Sequence, residues 1–426
     1  PIRGLWTHTT AGLDAYVVSG NKFYKIDTNY NATLLGTVEG TGPVSIADSG
    51  IQIFIAAGAN AYVYTESTNT FQKVTDPDFA GATTVCYIDG YFAFNQPDSQ
   101  FIWVTDILDG TVINPLAFAA AESSPDEVVA VVSNNREVWV FGQGTTEVWY
   151  DAATTPFPLA PIQGAYNEIG CVAPFSIAKL DNSLFWLGAD PRGFGIVYRN
   201  QGYNGKRVST HAIEYAIQSY GDITDAVAYT YQQEGHAFYV LNFPSANKTW
   251  VYDVATGAWH ERASWFNGSF MRHRGQCQMN FNSQTVVGDY ENGNLYVFDL
   301  DVYADNGEVQ KWVRSWRPLP PNQNNLKRTA QHTLQLTCES GVGINLGQGS
   351  DPQVMLRWSD DGGHTWSSEH WISMGKIGEY GYRAIWRRLG MTTKLRDRIY
   401  EVSGTDPTKT VIVGAELFLS GTNTNG

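Results

Sequence analysis

The sequence predicts an all-β protein, a β-propeller followed by a C-terminal β-sandwich, and three observations carry that expectation. Aromatic residues make up 13% of the 426-residue chain, there are 42 glycines, and only 16% of residues are charged; with no long helical periodicity, this mix suits short strands joined by tight turns. Strand-like units recur about every 40 to 45 residues with four strands to the unit, which is the propeller signature. Finally, RPLPPNQNN at 317–325 breaks the pattern, because adjacent prolines lack backbone donors and resist continuation of a strand or helix.

In chain order, units begin near residues 3, 43, 82, 127, 173, 225 and 271. Their second strands read IQIFIAAG, YFAFNQ, EVWVFGQG, SLFWLGAD, HAFYVLNF and QTVVGDY, apolar runs that suit strands covered on both faces. Third strands such as FIWVTD, EVWYD, TWVYD and LYVFD place an aromatic residue just before Asp or Thr and a turn. The count is seven blades, with six as the alternative. HAIEYAIQSYG after Arg207 reads as a short helix between units five and six. Unit seven shows three strands, and its fourth is expected either from 309–316 or from sequence upstream of Pro1. The chain enters a strand at Pro1 without a start Met, and the expectation is either that Met was trimmed or that an N-terminal segment is absent from this sequence. The expected domains are a propeller at 1–308 and a sandwich platform at 309–426 with a linker at 317–325. The sandwich is read as six strands within 327–420, followed by a disordered GTNTNG tail.

The net charge of −14 is unevenly spread. After residue 308 there are 14 Lys and Arg against 10 Asp and Glu, +4; the remainder is 28 − 14 = 14 against 42 − 10 = 32, or −18. So acidic a body disfavours DNA wrapping or docking on anionic membranes, both of which depend on Lys and Arg, while letting DNA slide past without sticking. No stretch approaches the roughly 20 apolar residues of a membrane span, and the chain reads as soluble and unexported. Cys86, Cys171, Cys277 and Cys338 are far apart with no C-x-x-C pair, and are expected as free thiols of a protein assembled in a reducing cytosol.

SDDGGHTW, 359–366, fits the Asp-box pattern S-x-D-x-G-x-T-W. Ser359 is expected to close a strand, Asp361 to accept turn N–H groups, Gly363 to supply a positive φ, and Trp366 to return to the core. The box resembles those of sialidase propellers, so a carbohydrate-active or carbohydrate-binding propeller is the alternative function. A single box outside the repeat favours a structural hairpin instead. His364, Glu369 and His370 lack a third ligand at metal spacing. Arg272, His273 and Arg274 read as an exposed first strand of unit seven. Phosphate-loop, dinucleotide and nucleophile-elbow patterns are missing, and no catalytic residue, cofactor or metal is assigned.

One basic concentration stands out, KIGEYGYRAIWRRLGMTTKLRDR at 376–398. Tyr382, Arg383, Trp386, Arg387, Arg388, Arg396 and Arg398 are the candidate interface residues, either as a solvated face or as a docking surface with aromatic anchors such as Tyr380.

AYVVSGNKFYKID near the start, FIWVTDILDG and TTEVWYDAATT in the middle, and S-x-D-G followed by Y-x-x-R-x-x-W-x-R-L-G in the sandwich together resemble the packaged-DNA stabilisation proteins of short-tailed bacteriophages, also called tail hub or nozzle proteins. The resemblance runs from about Leu13 to Leu419. It implies a non-enzymatic virion protein of the phage tail, assembled in the host cytoplasm. That protein would form a hexameric ring below the portal and adaptor proteins, close and line the DNA exit channel, and offer attachment for fibres, spikes or a needle. DNA would pass without sequence-specific contact.

Overall fold

The structure, a computed structural model, describes residues 1–8, 14–121, 125–191, 193–318, 328–392 and 398–421. Two compact units divide the chain: Pro1–Ala263 with Met271–Phe298, and Ser264–Phe270 with the segment from Asp299 onward.

The first unit is a propeller of seven antiparallel sheets. Their first strands are Ile2–Thr7, Ser45–Asp48, Val85–Ile88, Val128–Asn134, Ala178–Leu180, Val227–Gln233 and Gly275–Phe281, close to the starts the sequence indicates. Strand alternation explains why the second strands look apolar throughout. In Glu137–Gly142, Val138 and Val140 pack toward blade 3 whereas Trp139 and Phe141 pack toward blade 5. In Ser183–Asp190, Leu184 and Trp186 meet blade 4, and Phe185 and Leu187 meet blade 6. Each face of a blade therefore belongs to a separate interblade core. The Asp that ends a third strand caps the next turn: Asp27 accepts the backbone N–H groups of Asn29 and Asn31, and Asp253 accepts that of Ala255.

The helix lies where the sequence indicates, at His211–Gln218. Ile213 and Ile217 enter the core between blades 5 and 6, and buried Glu214 accepts bonds from Arg207 Nε at 2.5 Å and Ser209 Oγ at 2.6 Å.

Closure differs from the expectation for 309–316. Trp312–Trp316 pairs with Ile399–Gly404 in the second unit and supplies no propeller strand. Blade 7 has three strands among the described residues, and the ring closes by packing: Ile2, Leu5 and Val17 of blade 1 share a core with Met279, Phe281 and Val286 of blade 7.

Blades 1 and 2 are also tied by a buried polar cluster. His8 Nε2 lies 2.6 Å from Glu66 Oε1 and Nδ1 lies 3.5 Å from Asp48 Oδ1, while Asp48 accepts from Trp6 Nε1 at 2.6 Å and Tyr16 donates to Glu66. Asp48, with Glu66 beside it, raises the His8 pKa to about 9 against the opposing cost of burial. A folded-state pKa above the usual 6.5 means that this tie is fully present below about pH 6.5 and is lost as pH rises through about 9. Thermal melts between those pH values should show a decline in propeller stability that His8→Gln abolishes; an identical pH slope in the variant would refute the assignment.

The second unit contains a sandwich of two sheets. One has the strand order Trp312–Trp316, Ile399–Gly404, Gln353–Ser359, His370–Ser373; the other has Ala384–Met391, Thr329–Cys338, Ile412–Gly421. That makes seven strands, one more than the six read from the sequence, because Trp312–Trp316 joins the sandwich. Leu334, Leu336, Val354, Leu356, Trp386, Tyr400 and Val402 fill the space between the sheets. The linker at 317–325 lies outside the described residues from 319 on, as do residues 422–426 of the tail.

All four cysteines are free, with Cys86 and Cys171 buried. Burial pushes both thiols up to about 12, so neither is nucleophilic at neutral pH. No helix among the described residues is long and apolar enough to cross a membrane.

Candidate functional site

The Asp-box forms a self-bonded turn at the end of Gln353–Ser359. Buried Ser359 donates its Oγ–H to Asp361 Oδ1 at 2.7 Å and accepts the Gly363 N–H at 2.9 Å. Asp361 in turn accepts the Thr365 N–H at 2.8 Å and the Thr365 hydroxyl at 2.6 Å. These bonds, from Thr365 first and then Ser359, hold the Asp361 carboxyl well below the usual carboxylate range. Gly362 and Gly363 take φ of +80° and +95°, the left-handed backbone that glycine adopts without strain.

Trp366 departs from the sequence reading. It is half-buried, donates Nε1–H to the Gly363 carbonyl at 3.1 Å, and lies under the Arg357 guanidinium at 4.7 Å. The indole caps its own turn and does not enter the core, which instead receives Leu356 and Val354 of the preceding strand. Ser359→Ala should therefore cost about 1 to 3 kcal/mol, since it removes the buried hydroxyl that makes the turn's central bonds. Trp366→Ala should cost about 0.5 to 2 kcal/mol, the value of a cation–π contact and partial burial. Urea unfolding of the two variants checks this ordering, which a loss above 4 kcal/mol for Trp366→Ala would reverse.

The basic run falls mainly on the edge strand Ala384–Met391. A register shift against Thr329–Cys338 leaves two residues, Arg388 and Leu389, opposite one, with Arg388 at φ +61°. In an unbroken strand, Trp386 and Leu389 would face opposite sides; the bulge turns both into the core. It also leaves Arg387 and Arg388 exposed side by side, with Tyr382 and Arg383 exposed just before the strand and Arg383 donating to Gln335. On the same outer face, Phe418 is exposed, its ring 5.3 Å from that of His332 and tilted by 39°.

Two residues read as interface anchors serve the interior instead. Trp386 is buried and donates to the His370 carbonyl at 2.9 Å. Arg398, only 3% exposed, forms a bidentate pair with Asp360 at 2.8 and 2.9 Å. It also donates to the carbonyls of Leu389 and Met391 and lies over Trp358. Arg396 lies outside the described residues. The surface that remains is Tyr382, Arg383, Arg387 and Arg388.

Arg272, His273 and Arg274 precede the first strand of blade 7 and are largely buried, contrary to their reading as an exposed strand. Arg272 stacks on the Tyr290 ring at 3.6 Å, and Arg274 Nη1 lies 3.6 Å from buried Asp289. His273 Nδ1 accepts the Gly275 N–H at 3.1 Å; burial first, then the charges of Arg262 and Arg274, depress its pKa to about 3. The imidazole is neutral at physiological pH, and the trio braces the blade. Sequence offered no signal for this, because its acidic and aromatic partners lie in other turns.

At the propeller axis lies a cavity of about 590 Å³, lined by residues of all seven first strands or the loops leading into them, among them Arg3, Asp48, Tyr87, Ser133, Lys179, Thr230 and Gln278. No group of three or more His, Cys, Asp or Glu among the described residues is placed to hold a metal ion.

The family described as bacteriophage P22 Gp10, beta-propeller, matches residues 2–303, and that described as bacteriophage P22 Gp10, beta-sandwich, matches residues 311–419. None of the curated proteins matches. Solved structures similar to this chain include one titled for the mitotic checkpoint complex, 11% identical over 70% of this chain and 89% of that one, with a TM-score of 0.45. Another is the Cps50 (Swd1) beta-propeller domain of Myceliophteria thermophila, 9% identical over 70% of this chain and 96% of that one, with a TM-score of 0.44. Matched in both its propeller and its sandwich, the chain belongs to the phage stabilisation family of bacteriophage P22 Gp10, a family of structural phage proteins.

Proposed function

We propose that the protein is the tail hub, or nozzle, of a short-tailed phage: a non-enzymatic subunit of a hexameric ring that docks below the portal and adaptor, lines and closes the DNA exit and retains packaged DNA. In this reading the propeller, 1–308, is the body and the sandwich, 309–426, is the docking platform. The ring assembles in the host cytoplasm and carries fibres, spikes or a needle in the finished virion tail.

The observation that carries the reading is the division of charge within one chain, −18 up to residue 308 and +4 beyond it, with Arg387 and Arg388 presented together by a bulge. Acidic walls repel phosphate and let DNA slide, while an exposed basic edge with Tyr382 beside it suits an acidic partner or the acidic body of another copy.

The test is DNA retention. DNA-filled particles carrying portal and adaptor should lose DNA without this protein and keep it when purified protein is added back. Full retention in its absence would refute the proposal.

A further inference from the structure

A second feature of the propeller is independent of ring assembly. Between blades 4 and 5 lies a cleft of about 630 Å³, the size of a small-ligand site. Its lining is unusually rich in side-chain amides: Asn134, Asn135, Asn182, Asn200 and Gln201. Asn135 and Asn182 head the first hairpins of their blades at φ of +51° each, so the two turns stand at the mouth as a pair.

Of the charged groups of the cleft, Arg199 and Glu137 are engaged within the protein and Lys206 is exposed. Arg199 donates to Asp181 Oδ2 at 2.7 Å and to Ser183 Oγ at 3.1 Å, and Glu137 accepts the Tyr203 hydroxyl at 2.7 Å. That bond fixes Tyr203, 37% exposed, as a flat ring at the cleft wall. Trp139 also lines the cleft, with its ring 6.3 Å from that of Tyr203. Its Nε1–H is buried and has no acceptor among the described residues, although a buried indole N–H ordinarily finds a partner. Five side-chain amides, one presented aromatic ring and one exposed ammonium, that of Lys206, give the cleft a lining of mixed donors and acceptors around a flat apolar face. It matches a neutral polyhydroxylated ring, whose hydroxyls both donate and accept and whose C–H face stacks on an aromatic ring.

We infer that the cleft between blades 4 and 5 is a saccharide-binding site, with Tyr203 as the stacking platform and Asn135, Asn182 and Gln201 as hydroxyl partners. The site binds and does not hydrolyse: Glu137 is held by Tyr203, and no second carboxylate lines the cleft among the described residues. Blade 4–5 packing supports the cleft from beneath through Trp186 and Phe141, so it is preformed.

The experiment is saturation-transfer NMR on the full chain with D-glucose, D-galactose, D-mannose, L-rhamnose and N-acetyl-D-glucosamine as probes. At least one should bind with a Kd of about a millimolar, the usual strength of a single small polar ligand. Tyr203→Ala and Asn182→Gly, both at exposed positions and the second keeping the left-handed backbone, should each weaken that binding at least about tenfold at unchanged thermal midpoint. Binding by none of the five sugars would overturn the inference, as would binding indifferent to both substitutions. Should a peptide from a virion protein compete for the cleft while no sugar binds, the site is a protein contact and the inference fails.

Discussion

Arg398→Ala is expected to destabilise the sandwich by about 3 to 5 kcal/mol, the cost of breaking a buried ion pair by removing one partner. Arg398 is the hub of its end of the sandwich. Its guanidinium joins Asp360, the residue after Ser359, to the carbonyls of Leu389 and Met391 on the opposite sheet, and lies between Trp358 at 5.1 Å and Tyr400 at 5.9 Å. Deleting it orphans a partly buried carboxylate and two carbonyls and leaves a cavity against two aromatic rings. Asp360→Asn keeps one acceptor and should cost less. Urea denaturation followed by tryptophan fluorescence should show the loss in a sandwich transition, with the propeller transition unmoved. An Arg398→Ala loss below 1 kcal/mol would show that solvent replaces the pair.

Trp186→Ala is the counterpart in the propeller, expected to cost about 3 to 5 kcal/mol. The ring is fully buried between blades 4 and 5, packs on Phe141 at 5.3 Å and Tyr198 at 5.7 Å, and donates to the Gly170 carbonyl at 3.2 Å. Gly205 leaves room for its far edge; a Cβ there would stand 3.2 Å from the indole. The void has little to collapse into it, because neighbouring side chains are fixed by strand pairing on both sides. Here the propeller transition should move and the sandwich transition should not. The two substitutions in one chain should be additive within about 0.5 kcal/mol, as for sites that share no partner.

Blade organisation was legible because a propeller writes its packing into local sequence. Second strands are apolar on both faces, as in Val138–Phe141, and several third strands end in an Asp that caps the following turn, as Asp27 and Asp253 do. Both signals need only a few neighbouring residues. The errors arose where the deciding partner is remote. Trp386 looks like an exposed anchor beside arginines until the bulge at Arg388 turns it inward, and that bulge exists only in register against Thr329–Cys338. Arg398 reads as one more basic residue, since nothing local announces Asp360, 38 positions earlier, as its partner. The same holds for Arg272, His273 and Arg274, and for Trp312–Trp316, whose apolar residues suit either unit until Ile399–Gly404 is seen beside them. Of the Asp-box, the turn bonds were legible from spacing; the half-buried placement of Trp366 depends on Arg357 reaching over its ring.

The central claim, a tail hub whose copies join through the basic edge of the sandwich, is tested most directly by native mass spectrometry of the purified chain alone and with portal–adaptor complexes. The account predicts a hexamer, and its loss in the Arg387→Glu, Arg388→Glu double variant while both unfolding transitions stay in place, because both residues are exposed. A chain that remains monomeric in both settings would contradict the account, and a hexamer that survives the double charge reversal would contradict the assigned interface.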